Sequence, residues 1–348
     1  MQADWSRGWR AGAFAVAVTA LMFGAPRANA QDQSTFYDGK TVSLYVGVEA
    51  SSGYAFDGRL IGQYISRYIP GNPTTVVRFM PGAATLVLAN YLYNAAPQDG
   101  TVFGLIHERM GLQPLIDPAG IKYDALKFNW LGAMSNQLSV CFVWHTSTAQ
   151  TIADAQAREV LVAGTNVGGS SVVFPRVLNE TLGTKFKVVR GYRGTDEINL
   201  AMERGETEGR CGYGWGGLKL TKPDWIRDKK VRMLMQMGMR KDADLQDVPL
   251  ILDMVSDPEQ KAALEFLLAS SVMSRPFVAP PGLPAGRVAT LREAFDAAVR
   301  DPELLAQAQH QNMEISPISG GEIQELLTRL YATPQPIIDR TKSWSNER

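Results

Sequence analysis

The sequence predicts an α/β protein built as two lobes. β-rich runs alternate with stretches of helical periodicity along most of the chain, the pattern of layered α/β architecture rather than of a sandwich or a bundle. Small residues recur where a strand run passes into a helix run, as tight strand-to-helix turns require. A proline-rich seam, Arg275 to Pro284, separates this alternating region from a helix-rich tail.

Residues 1–30 read as an address rather than as part of the fold. Arg7 and Arg10 supply a positive start, Ala11 to Phe23 an apolar run, and Ala28-Asn29-Ala30 a small-x-small cleavage site. The run is short and soon meets Gln31, Asp32 and Gln33, which suits a signal peptide cleaved after Ala30 better than a membrane anchor. No cysteine follows it, so no lipid anchor is expected, and the mature chain is expected to be soluble and exported.

After the signal, Val42, Leu44 and Val46 begin a strand; Phe56, Leu60, Ile61, Tyr64, Ile65 and Tyr68 then recur at helical spacing. Thr75 to Phe79 is a second strand, leading through Pro81-Gly82-Ala83-Ala84 into a helix past Leu88 and Tyr91. Asp99-Gly100 turns the chain into a third strand, Thr101 to Ile106. Ser139 to Trp144, Glu159 to Ala163 and Lys185 to Arg190 repeat the style. Thr195 is expected to cap a helix whose first turn holds Asp196 and Glu197 and which ends at Arg204-Gly205. Val231 to Met237 is another strand, and the methionines at 233, 235, 237 and 239 are expected in the core rather than on a binding face. Beyond the seam, helices open at Pro284, at Asp301-Pro302 and at Ser319-Gly320-Gly321. This tail is expected to return to the first lobe, making that lobe discontinuous.

Composition narrows the function. Lys and Arg number 35 against 35 Asp and Glu, without the basic excess that nucleic-acid binding needs. His107, His145 and His310 are the three histidines and stand in no metal spacing; G-x-S-x-G and P-loop patterns are missing, so no metal, no cofactor and no catalytic role are expected. Cys141 and Cys211 would reach an oxidising compartment, where they could form a disulfide or stay as two buried thiols.

Four strand-to-helix turns carry small side chains: 50–53, 81–84, 166–171 and 191–195. Such turns let a ligand approach the backbone, and a helix N-terminus there offers unpaired N–H groups with a partial positive charge. Two lobes aiming such turns at one crevice could hold a small anion.

From Phe36 to about Leu327 the chain resembles the Bug/TctC family, the extracytoplasmic solute-binding receptors of tripartite tricarboxylate transporters. The resemblance rests on six ordered motifs: the loop Val46–Gly53 running into Asp57 and Arg59, Pro81–Ala84, Ala96-Pro97-Gln98-Asp99-Gly100, Tyr192-Arg193-Gly194, Asp247-Val248-Pro249, and Ala279 to Pro284. The chain departs from the pattern where Ala50, Ser51 and Ser52 replace loop glycines and where Ala55 stands at the usual Asp position.

The resemblance implies a type II periplasmic-binding-protein fold, with two α/β lobes, a central cleft and two crossing strands, closing on ligand by a hinge. Lobe 1 is expected at 36–138 plus 277–348 and lobe 2 at 139–276, which puts both cysteines in lobe 2. The implied ligand clamp is Ser51, Ser52, Gly53 and Tyr54 against Gly168, Gly169, Ser170 and Ser171, with Arg193 and Thr195 near its mouth. The implied ligand is a small organic acid, captured in the periplasm by a monomer and delivered to the transporter's membrane permease subunits. A receptor that reports to a sensor and a periplasmic enzyme are the alternative readings.

Overall fold

The computed structural model describes residues 35–165, 169–311 and 313–345, together with Met1. The expected signal peptide and its cleavage site lie outside the described residues. Eleven strands form two sheets among the described residues. The first contains β1 (Thr41–Val46), β2 (Thr74–Phe79), β3 (Val102–Leu105), β4 (Asn129–Ser135), β10 (Ser274–Ala279) and β11 (Ile318–Ser319), in the order β11-β4-β10-β3-β1-β2. The second contains β5 (Ser139–Trp144), β6 (Val160–Gly164), β7 (Phe186–Arg190), β8 (Gly209–Gly214) and β9 (Val231–Met237), in the order β7-β6-β8-β5-β9.

The two sheets share one plan. In each, parallel strands are linked through helices: β2-β1-β3 in the first and β7-β6-β8 in the second. The neighbour of each parallel set is an antiparallel strand, β10 beside β3 and β5 beside β8. Those are the strands that follow the two crossings, so each lobe inserts into its sheet the segment arriving from the other. This is the two-lobed type II arrangement expected from the sequence.

The outward crossing runs from Ser135 through 136–138 to Ser139. It is tied at both sides, because Asn136 N–H donates to Ser316 O at 2.8 Å and Gln137 N–H donates to Ser271 O at 2.9 Å. The return falls at Ser274, beside the proline-rich seam, and Pro276 lies within β10. Pro276 keeps its place because it needs no donor at that rung, while its carbonyl accepts from Ile106 N–H at 3.2 Å.

Helices cover both faces of each sheet, burying near-continuous apolar strands such as β3 and β4. Leu44, Ile61, Phe103, Phe277 and Phe295 lie on one face of the first sheet; Leu88, Trp130, Phe266 and Ile323 lie on the other. In the second lobe Met235 and Met237 are fully buried, as core packing predicts. The tail divides. Gly320–Leu330 lies on β4, but Gln335–Ser345 packs against the helices Pro258–Val272 and Ser170–Leu182, and Trp344 joins the second lobe's core. This last helix bridges the two cores: Ile337 and Trp344 pack into that of the second lobe, while Ile338 is buried in that of the first. Thr195 is the first helical residue rather than the cap, Gly194 taking that place in extended backbone.

Cys141 and Cys211 form a disulfide between neighbouring strands, closing a loop of 70 residues. Close by, Glu208 accepts from both terminal nitrogens of Arg158, from Ser147 Oγ at 2.7 Å and from Leu161 N–H at 3.3 Å. These donors, the Arg158 hydrogen bond first, hold its carboxyl below the usual range.

Replacing both cysteines by serine should cost about 4 kcal/mol, the loop entropy released in the unfolded chain, read as a lower urea midpoint than that of the oxidised wild type. Glu208→Gln should cost about 1 kcal/mol at pH 7, since the pair is partly solvated. A depressed carboxyl contributes stability above its unfolded pKa and loses it as pH falls through the folded value. The gap between Glu208→Gln and wild type should therefore close in melts run near pH 3.

Candidate ligand-binding cleft

The parallel strands aim their C-terminal ends at the crossing. Ser139, the first residue of β5, pairs with Gly214, the last of β8, and β10 begins just beyond the end of β3. The loops after β1, β2 and β3 therefore border the crossing from one side, and those after β6, β7 and β8 from the other. Open α/β sheets bind ligands at such carboxyl edges.

On the first wall, Ser52 caps the helix Gly53–Tyr64, its hydroxyl accepting from Ala55 N–H at 3.4 Å. Ser51 is exposed, whereas Ala55 is wholly buried and presents nothing to the cleft. The neighbouring loop comes close because β1 is followed by Gly47, where a Cβ would lie 2.6 Å from Thr85 Cβ. Thr85, itself buried in left-handed backbone, accepts through Oγ1 from His107 N–H at 2.9 Å.

Tyr54 gathers a set of polar groups that sequence reasoning missed. Its hydroxyl donates to Glu108, its ring stacks on His107 with centroids 5.7 Å apart, and the Arg275 guanidinium lies 5.6 Å from the ring centre. Burial, reinforced by Glu108, pushes the Tyr54 phenol far above its ordinary value, so it is a donor. Burial lowers the His107 pKa, and Nδ1 accepts from Arg109 N–H at 3.2 Å, so this imidazole is neutral at pH 7. Arg275 Nε donates to Asp57 Oδ2 at 2.5 Å, and Asp57 is 1% exposed. Burial raises the Asp57 carboxyl against the opposing pull of Arg275. These residues are scattered from 54 to 275, and no local pattern joins them; the sequence signals were Tyr54, expected in the clamp, and Asp57, standing two positions past the family's usual acid.

On the second wall, Gly169 precedes the helix Ser170–Leu182. Gly168 lies outside the described residues. Ser171 Oγ accepts from Thr165 N–H at 3.1 Å, tying the end of β6 to the helix start, and Ser170 Oγ donates to Gly212 O at 3.2 Å. Gly212 makes the bulge where β8 sets two residues against Cys141 of β5; its φ is +72°, and a Cβ there would meet Ser170 Oγ at 2.6 Å. The bulge thus brings strand backbone against the helix start.

Arg193 is largely exposed and paired with Glu197 one helical turn on, so its charge is balanced within its own segment. Thr195 is exposed at the start of its helix, and its carbonyl lies 3.5 Å from Nη1 of Arg210. Arg210 is 3% exposed, donates to Asn199 Oδ1 at 3.1 Å, and is held by burial down to about 10. A cavity of about 340 Å³ lies at the crossing, lined by Asn136, Leu138, Trp215, Gly216, Arg240 and Glu314 among others, with no clamp residue in its lining.

Gly212→Ala should cost about 1–2 kcal/mol through its left-handed backbone and push Ser170 aside. Urea melts should show the cost, and calorimetric titration should show weaker ligand binding than wild type.

No family model and no curated protein sequence matches the chain. Solved structures do. A TctC solute-binding protein from Polaromonas superposes with a TM-score of 0.69 at 17% identity, over 87% of this chain and 99% of that one. The periplasmic binding protein BugD gives 0.51 at 16% identity, over 89% and 99%. An R. palustris protein solved with adipate gives 0.51 at 15% identity, over 88% and 96%. The resemblance read in six sequence motifs thus returns in three dimensions, and the chain has the two-lobed fold of the TctC and Bug solute-binding proteins.

Proposed function

We propose that this chain is a periplasmic solute-binding receptor that captures a small organic carboxylate and delivers it to the permease subunits of a tripartite tricarboxylate transporter. The observation that carries the reading is the pairing of two helix starts across the crossing. Gly53–Tyr64 and Ser170–Leu182 each follow the carboxyl edge of a parallel strand, one in each lobe. Their first N–H groups have no partner within the helix, and their dipoles favour an anion between them. The solved relatives support the reading, since they are named as solute-binding or periplasmic proteins and one was solved with adipate. The same likeness favours a receptor over an enzyme.

The chain works as a monomer in this reading: both walls come from one polypeptide, and closure turns on the tied segments at 136–138 and Ser274. No helix among the described residues is long and apolar enough to cross a membrane, so the membrane step falls to the partner subunits.

A melting panel of di- and tricarboxylates, aromatic acids and amino acids tests the reading. An acid at a hundredfold excess over its Kd should add about 2.7 kcal/mol, seen as a rise in melting temperature. Ser52→Trp should abolish that rise, read against the variant's own unliganded melt, which loss of the Ser52 cap should lower by about 1 kcal/mol. Turnover of a substrate with no stabilisation by any acid would favour a periplasmic enzyme instead.

A further inference from the structure

Arg275 carries two costs that the fold by itself does not require. Its φ is +58°, left-handed backbone that a side chain bearing Cβ adopts only under strain. It stands in the strand that returns from the second lobe, next to the crossing, where a glycine would relieve that strain. Its guanidinium also draws the Asp57 carboxylate into a 1% exposed position, and an ion pair so placed is weak evidence for stability. Strain and buried charge kept together at one residue mark a site whose geometry serves something besides packing.

The geometry shows what it could serve. Asp57 engages Nε at 2.5 Å, while the terminal Nη1 has a long 3.4 Å approach to Ser274 Oγ. A guanidinium held at Nε keeps its terminal edge for a second oxyanion, and that edge matches the two oxygens of a carboxylate. The Arg275 side chain is 27% exposed, and it lies over Tyr54, the residue next to the Ser52–Gly53 helix start. Tyr54 in turn is fixed by Glu108 and His107. The arginine is therefore held on two sides beside the first clamp loop.

Resting on the receptor reading above, we propose that Arg275 is the cationic ligand contact of the first wall, meeting a carboxylate through its terminal nitrogens. Asp57 is its positioning residue. The backbone clamp supplies oriented N–H groups on this wall, and Arg275 supplies the full charge.

The test uses the mature protein with succinate, adipate and benzoate as probes, and succinamide as the neutral counterpart of succinate. Asp57→Asn combined with Arg275→Gly removes the guanidinium, leaves no unpaired buried carboxylate, and gives the left-handed position to glycine. This variant should melt no lower than wild type and bind the best of the three acids at least tenfold more weakly. Arg275→Lys, which keeps charge and pairing but not the fork, should bind severalfold more weakly with an unchanged melt. Asp57→Asn alone should lose preference for succinate over succinamide, which a purely structural role would leave intact. Wild-type affinity in either Arg275 variant overturns the assignment while leaving the receptor reading standing. Absence of binding by wild type to all three acids overturns both.

Discussion

Strand β10 enters the first sheet antiparallel, after two crossings between lobes, and β5 enters the second in the same way. Much else depends on that exchange. A parallel sheet needs its edge covered and its carboxyl ends directed, and one inserted strand does both. Because β5 starts where β8 ends and β10 starts just past β3, both carboxyl edges must face the segment that joins them. The facing helix starts, the loop at Thr85 and the bulge at Gly212 are consequences of that placement. The hydrogen bonds from Asn136 to Ser316 and from Gln137 to Ser271 hold the outward crossing to segments on both sides of it.

Charge is distributed unevenly over this frame. At the outer surface, pairs such as Arg193–Glu197 and Lys187–Glu159 are solvated and contribute little to stability. The Arg158–Glu208 pair is different, because Ser147 and Leu161 fill the remaining acceptor positions of the carboxylate and lock β6 to β8. Near the cleft the arrangement changes again. Asp57 and Arg275 pair at the first wall, and Arg210 lies buried beneath the start of the helix Thr195–Glu203, held by Asn199 Oδ1 and facing the Thr195 carbonyl. Buried cations raise the positive potential of a wall that already carries helix dipoles, an environment suited to an anion.

Much of the fold was legible from residue order. Val42 to Val46, Thr75 to Phe79 and Val231 to Met237 show β-rich apolar patterns, and the capping residues Asp301 and Ser319 announce their helices. β8 escaped notice because Gly209, Gly212 and Gly214 dilute any strand pattern; it is a strand because β5 and β6 flank it. β4 is buried on both faces, so it lacks the alternation that marks a half-exposed strand. The apolar residues of the last helix specify burial but not which core receives each of them, and Ile338 and Trp344 enter different ones.

By itself, then, the sequence determined the local pieces: strands, helix starts and small-residue turns. These follow from short-range periodicity and from backbone preferences that act over a few residues. The tertiary structure alone decided that Tyr54, Asp57, His107, Glu108 and Arg275 share one wall, and that Gly212 presses on Ser170. Those contacts join residues up to 218 positions apart. They depend on the register of inserted strands and on a single left-handed residue at the return, and neither leaves a repeating signature in the order of amino acids.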